Sequence, residues 1–399
     1  MKQTFPKALL LAAIILMDLL AGMEFDLFVP SFPELQGLFG LSPFWAEALL
    51  SINFIGYFLS LFFVGSLADR YGRKPIILMG IVIFIIGSVL CLGATSYHFL
   101  LVGRFLQGIG IAAPATLSFL IIADTYSLKQ QQSLFGILNG LFNAAAGAAP
   151  VIGSYITLYF HWQGNFMTLL LLGLLSCVTT LFFIPTQQLP ECKETLSLRG
   201  YIPLFQSKPL FLLMTFFVLN FVPYWVFVGM SPILYMEDLG VSLAHFGYYQ
   251  GVLALSHALG CLLFGMIVSR YDQEKMIVIS VYIFAFTFVS MGVITVCDSA
   301  SPLLITLALL PLTIGQVVPA TILYPLCLNI IPEAKGRVSA ILQGGRLLLS
   351  AFFLQVAGYF YQGSFQNIGI ILCSFILMST IALFFVLKNH ALMEFGQES

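Results

Sequence analysis

The chain is a succession of apolar runs about twenty residues long, separated by short polar turns, and that pattern leaves few folds open. A run of this length, wound as an α-helix, matches the hydrocarbon thickness of a bilayer. Backbone amides find no water there, so each run must satisfy its own hydrogen bonds, as a helix does. Twelve runs stand out, at about residues 8–28, 44–66, 76–95, 99–122, 134–159, 165–184, 209–236, 244–268, 276–297, 302–327, 339–361 and 366–387. Charged residues make up 8% of the 399 and hydrophobic ones 60%, where soluble proteins carry roughly 25% charge. The expected fold is an all-α membrane protein of twelve transmembrane helices. The seven cysteines lie almost all inside apolar runs, which indicates neither a disulfide framework nor a metal cluster. Lys2 and Lys7 ahead of an apolar run imitate a signal peptide, but the run is interrupted by Asp18 and continues to about Phe28, so an uncleaved first helix is expected.

Starting the N-terminus in the cytoplasm places the turns near residues 70, 129, 200, 272 and 335 inside, together with the C-terminus. Of the 16 Lys and Arg residues, Arg104 and Arg346 lie within runs and all the others then fall on the cytoplasmic side. A missed or extra helix would scramble that sorting. The longest polar stretch, about residues 185–208, reads as a cytoplasmic linker between an N-terminal six-helix bundle (1–184) and a C-terminal six-helix bundle with a short tail (209–399). The halves repeat each other: Gly65, Arg70 and Tyr71 recur at Gly265, Arg270 and Tyr271, and Gly110, Pro114, Ala115 and Thr116 recur at Gly315, Pro319, Ala320 and Thr321. Two parallel six-helix repeats around a central cavity form a transporter architecture, in which rocking alternates access to a site near the midplane.

Between the second and third runs, Gly65 to Lys74 reads Gly-Ser-Leu-Ala-Asp-Arg-Tyr-Gly-Arg-Lys, with Pro75 next. Gly65 and Gly72 permit close approach and a tight turn, and Pro75 is placed to open the third helix. Asp69 stands at a helix C-terminus, where the dipole disfavours a negative charge, so it needs a partner. Two readings stay open: a conformational latch between the halves built from Gly65, Asp69, Arg70, Gly72 and Arg73, or a solvated turn that serves topology alone.

Ionisable residues inside spans are costly and mark pathways or relays. The first run holds Asp18, Glu24 and Asp26. At a rise of about 1.5 Å per residue Asp26 lies roughly 12 Å outward of Asp18, and Arg104, in a run entered from outside, reaches a similar depth to Glu24 and Asp26. A pair there is either a gated proton site or a static structural contact. Asp18 has no basic partner at its depth in the N-terminal half, which makes it the expected proton or cation acceptor, or else a hydrogen-bonding acid with no part in transport. In the C-terminal half Arg346 faces an anionic cargo, pairs with a first-run carboxylate or snorkels to the surface. His257 is a packing residue or a relay. Asn53, Tyr57, Asn139, Asn143, Asn220, Tyr224, Trp225, Gln316 and Gln343 are candidates for lining a polar cavity. The polar segments are too short for a nucleotide-binding domain, so an ion gradient is expected to supply energy, with no cofactor and no metal.

Four segments carry a family resemblance. The Gly65–Lys74 turn resembles the loop signature of the major facilitator superfamily. Asp26-Leu-Phe-Val-Pro-Ser-Phe-Pro33 resembles the first-helix Asp-x-Tyr-Leu-Pro-x-x-Pro of the bacterial Bcr/CflA-type drug/proton antiporters, with Phe28 in place of Tyr. Arg104-Phe-Leu-Gln-Gly-Ile-Gly110 is similar to the fourth-helix Arg-x-x-x-Gly-x-Gly element that the superfamily associates with proton coupling. Gly136, Pro150 and Gly153 match the fifth-helix antiporter pattern, while Ala145, Ala149 and Ser154 stand where it has glycine. The resemblance implies that branch members binding cationic drugs carry an acid at the positions of Asp18 or Asp26. The resulting expectation is a secondary transporter, not an enzyme, that exports small amphipathic or cationic compounds against protons. It is placed in the bacterial cytoplasmic membrane as a monomer with both termini inside, its partners being cargo, protons and the bilayer, with no nucleic acid. The rivals are a carrier of a specific metabolite or metal chelate such as a siderophore and, more distantly, a non-transporting membrane receptor.

Overall fold

The computed structural model describes residues 7–126, 128–186, 201–267, 272–331 and 335–389. Among them every regular element is helical: α1 (Lys7–Met23), α2 (Phe32–Phe39), α3 (Pro43–Tyr71), α4 (Arg73–Leu92), α5 (Tyr97–Thr125), α6 (Leu128–Phe183), α7 (Ile202–Gln206), α8 (Lys208–Pro232), α9 (Leu243–Ile267), α10 (Gln273–Val296), α11 (Pro302–Gly315), α12 (Val317–Asn329), α13 (Lys335–Phe360) and α14 (Phe365–Lys388). Setting aside the short α2 and α7, counting α6 as two limbs and joining α11 to α12, these give the twelve crossings expected from the apolar runs. Nine stretches among the described residues are long and apolar enough to span a membrane, and one of them, Gly140–Phe183, has 44 residues. At about 1.5 Å per residue that is twice a bilayer core, enough for two crossings.

Several boundaries depart from the apolar pattern. The first run is helical only to Met23, so the straight-helix placement of Glu24 and Asp26 does not hold. Past Met23 the chain turns, with Leu27 N–H bonded to Met23 O at 3.0 Å, and winds through a 3₁₀ turn at Val29–Ser31 into α2. Pro30 and Pro33 each stand in the first turn of a new helical segment. Proline is accepted there and breaks a helix anywhere further in. At the charged turn α3 continues to Tyr71 and α4 starts at Arg73, so Pro75 is not the opening residue but the third. Its missing N–H still falls among those with no intrahelical acceptor. Only Gly72 separates the two helices, at φ 95°, a conformation that favours glycine. The fifth and sixth runs have no loop between them. α6 runs through both and is broken at His161 alone, with φ 59°.

The chain divides into two compact units, Met1–Leu41 with Ala48–Leu196, and Ser42–Glu47 with Ser197–Ser399. In the first, α4 packs on α5 and α6, and α1 on α6 and α5. In the second, α10 packs on α11 and α14, and α8 on α13, α14 and α12. The scheme is the same, and so is a contact within it: Gly110 admits Phe84, and Gly315 admits the ring of Phe284. The internal repeat is therefore a repeat of packing as well as of letters. Its loop portion, Arg270 and Tyr271 with the side position at Gly265, lies outside the described residues, as does most of the linker.

Candidate functional site

The first unit assembles a buried polar network from four elements. Glycine brings the helices close enough to form it: a Cβ on Gly108 of α5 would collide with the carbonyl of Asn53 on α3, and one on Gly56 with the carbonyl of Phe105. With the backbones in contact, Asn53 Nδ2 donates to Arg104 O at 3.0 Å and to Glu24 Oε1 at 2.7 Å. Arg104 Nη1 donates to the same Glu24 oxygen at 2.8 Å and to Gln107 Oε1 at 2.8 Å, and Nε donates to Leu49 O at 3.3 Å. The line continues from Gln107 Nε2 to Ser88 Oγ at 2.8 Å and from Ser88 Oγ to Phe84 O at 2.9 Å. The guanidinium lies 4.0 Å from the centroid of the Phe28 ring. Arg104 and Glu24 are both 0% exposed. An ion pair so placed costs desolvation, which the hydrogen bonds from Asn53 and to Leu49 and Gln107 offset in part.

The pairing expected between Arg104 and the first-run acids is thus made by Glu24, from the turn after α1. Asp26 is buried beside it, with Oδ1 unpartnered among the described residues. Asp18 lies a turn and a half inside α1 on its buried face, and neither of its oxygens has a partner among the described residues. Glu24 Oε2 and Arg104 Nη2 are likewise buried without a protein partner there. Glu24, Asp26 and Arg104 thus put two acids and one cation in one buried region, and Asp18 is buried on α1. Removing or adding a proton there changes the net charge of a region where burial weakens screening.

The fifth-helix residues act through packing. A Cβ on Gly153 would collide with the carbonyl of Leu27, in the turn that carries the acids. Ala145 faces Gly22 of α1, so alanine in place of the pattern's glycine is matched by a glycine opposite. Ser154 Oγ donates to Pro150 O at 2.8 Å, and Ala149 is buried. Gly153→Ala is expected to destabilise the first unit by about 1–3 kcal/mol, the usual penalty of overpacking. Denaturation in detergent would read it, and an unchanged midpoint would contradict the contact. The side position of Gly136 and the side chains of Asn139 and Asp69 lie outside the described residues.

Around the charged turn, Arg70 is exposed with its guanidinium 5.3 Å from the Tyr71 ring, Arg73 is half-buried and Lys74 Nζ donates to Leu181 O at 2.8 Å. A Cβ on Gly65 would meet nothing within 4 Å among the described residues. Tyr57 is buried with its ring 5.8 Å from Phe25, and Asn143 is half-buried. In the second unit Gln316 Nε2 donates to Asn220 O at 2.6 Å, Tyr224 and Trp225 lie edge to face at 5.6 Å, and Gln343 Nε2 donates to Ser339 Oγ at 3.0 Å. Arg346 lies 4.7 Å from the Phe221 ring centroid. His257 Nδ1 meets Thr313 O at 2.8 Å, which makes it the proton donor and fits a packing role.

Comparison with known proteins places this geometry. Residues 14–354 match the family model of the Major Facilitator Superfamily. The chain belongs to that superfamily. Among relatives, it is 29% identical over 231 residues to multidrug resistance protein MdtL of Citrobacter koseri, covering 58% of each chain. It is 28% identical over 272 residues to a bicyclomycin resistance protein homolog of Haemophilus influenzae, covering 67% of this chain and 68% of the relative. The match to MdtL thus spans less than two thirds of that relative's length. A crystal structure of a D-xylose-proton symporter superposes with a TM-score of 0.77 at 17% identity, covering 95% of this chain and 97% of the other. The superfamily and its antiporter branch were legible in the loop and helix motifs. Gln107 and Ser88, which extend the network, were not singled out there, although Gln107 stands inside the Arg104–Gly110 element. Glu47, a further buried acid, gave no sign beyond its place two residues after Trp45 at the head of an apolar run.

Proposed function

We propose that this protein is a secondary active transporter of the bacterial cytoplasmic membrane that exports small amphipathic or cationic compounds in exchange for protons, with both termini cytoplasmic. The observation that carries the reading is the fully buried Glu24–Arg104 pair, with Asp26 buried beside it and Asp18 buried on α1, neither acid having a cation of its own among the described residues. Intramembrane acids of this kind serve ion pathways in general. Relatives whose names state multidrug and bicyclomycin resistance support the cargo class. Arg104 holds Glu24 as a carboxylate; Asp18 and Asp26 take and release the proton; cargo carrying positive charge competes with that proton for the same negative site. Asn143 in the first unit and Tyr224, Gln343 and Arg346 in the second are proposed cargo contacts, and Gly65, Asp69, Arg70, Gly72 and Arg73 a latch.

The test is transport by the purified protein in proteoliposomes. A cationic dye trapped with an imposed proton gradient is expected to move uphill against the protons and to stop when an ionophore collapses the gradient. Movement indifferent to the gradient would sink the proton-coupled reading.

A further inference from the structure

One buried acid takes no part in the network around Arg104. Glu47, in the first turns of α3, belongs with the Ser42–Glu47 segment of the second unit. Its side chain is 0% exposed, and neither oxygen has a hydrogen-bond partner among the described residues. The carboxyl lies in a slot that exists because a side chain is missing. A Cβ on Gly229 of α8 would come within 2.5 Å of Glu47 Oε2 and 2.5 Å of Leu354 Cδ1 from α13. The same stretch is seated along α13 by Gly358, whose Cβ position falls 3.0 Å from Phe44 N, and by Tyr359, edge to face with Phe44 at 6.4 Å. Thus α8 presents Gly229 and α13 presents Leu354 to the carboxyl, while Tyr359, the titratable group of that stretch of α13, meets Phe44. No Lys, Arg or His among the described residues pairs with it.

An ionised carboxylate in such a slot is cut off from bulk water and has no cation or N–H among the described residues to replace its hydration, whereas a neutral acid tolerates an apolar wall far better. We propose that Glu47 is a further proton-carrying acid, outside the Glu24–Arg104 network, seated as the neutral acid between Gly229 and Leu354 and exchanging its proton with water when it leaves that slot. The O–H bond breaks, the proton passes to water, and the carboxylate remains solvated until it is protonated again. The carrying role rests on the proposed proton coupling; the seated neutral acid does not.

Infrared difference spectroscopy on the full chain in lipid nanodiscs separates the two. At neutral pH, wild type minus Glu47→Gln is expected to show a protonated carboxyl C=O band that shifts in D2O. Gln is neutral and nearly isosteric, so it fits the same slot. In Gly229→Ala, the added methyl expels the carboxyl, and that band is expected to be replaced by carboxylate stretches. A difference spectrum holding only carboxylate stretches, or a band unmoved by Gly229→Ala, overturns the seat. In proteoliposomes, Glu47→Gln is expected to move one proton fewer per cargo than wild type, and an unchanged ratio overturns the carrying role. Wild-type transport indifferent to protons, with the infrared band present, counts against the proposed function and the carrying role that rests on it, and leaves the seated neutral acid standing.

Discussion

Replacing Arg104 by methionine is expected to cost the first unit about 3–5 kcal/mol of stability, the range for removing one partner of a buried pair. The loss follows from what remains: Glu24 Oε1 keeps only Asn53 as a donor, and Gln107 Oε1 loses its short bond. Neither side chain reaches water to recover the difference, since both are 0% exposed. A double variant, Arg104→Met with Glu24→Met, is expected to regain most of that stability, because a well-packed apolar pair is often as stable as a buried ionic one. It is not expected to regain gradient-driven transport. Denaturation in detergent, arranged as a double-mutant cycle, would measure the coupling. Additive single effects would show that the contact carries no energy of its own.

The second large effect is expected at Asp18, where the loss falls on coupling and leaves stability nearly alone. Asparagine keeps the shape of the side chain and removes its ability to carry a proton. Asp18 has no hydrogen-bond partner among the described residues, so Asp18→Asn breaks no contact that they supply. Uphill export should vanish while downhill exchange of cargo continues. Asp26→Asn is the companion measurement, because Asp26 shares the buried region and also has an oxygen without a partner there. Should both variants keep full gradient-driven export, the relay lies elsewhere.

The sequence carried the crossings because a bilayer reduces folding to a question of length and hydropathy, and it carried Arg104 and Glu24 because buried charges must find each other. It failed where the answer depended on backbone breaks. Glu24 and Asp26 were read as continuing a helix, yet the chain leaves the helix at Met23 and delivers Glu24 to Arg104 through a turn. Pro30 and Pro33 announce that break in retrospect, but the apolar pattern runs straight over it. Glu47 was invisible for a different reason. At the head of an apolar run, an acid beside Trp45 reads as an interfacial residue, and only the absent side chain at Gly229, far along the chain, makes the slot that buries it.

The break at His161 bears on where foreign sequence can be placed. His161 is 76% exposed at its side chain, and exposure alone would recommend it for an epitope, a glycosylation acceptor or a protease site. Its neighbours recommend the reverse. Glu34 Oε1 meets His161 Nδ1 at 2.9 Å while Oε2 accepts the backbone N–H of Trp162 at 2.9 Å, so one carboxylate closes the start of the second limb of α6. Tolerance of an insertion follows the hydrogen bonding of the backbone it displaces. A tag at this junction would part Glu34 from the helix end that it caps and push apart two crossings that have a single residue between them. Visibility to solvent and permissiveness to new sequence are here opposite properties of one position.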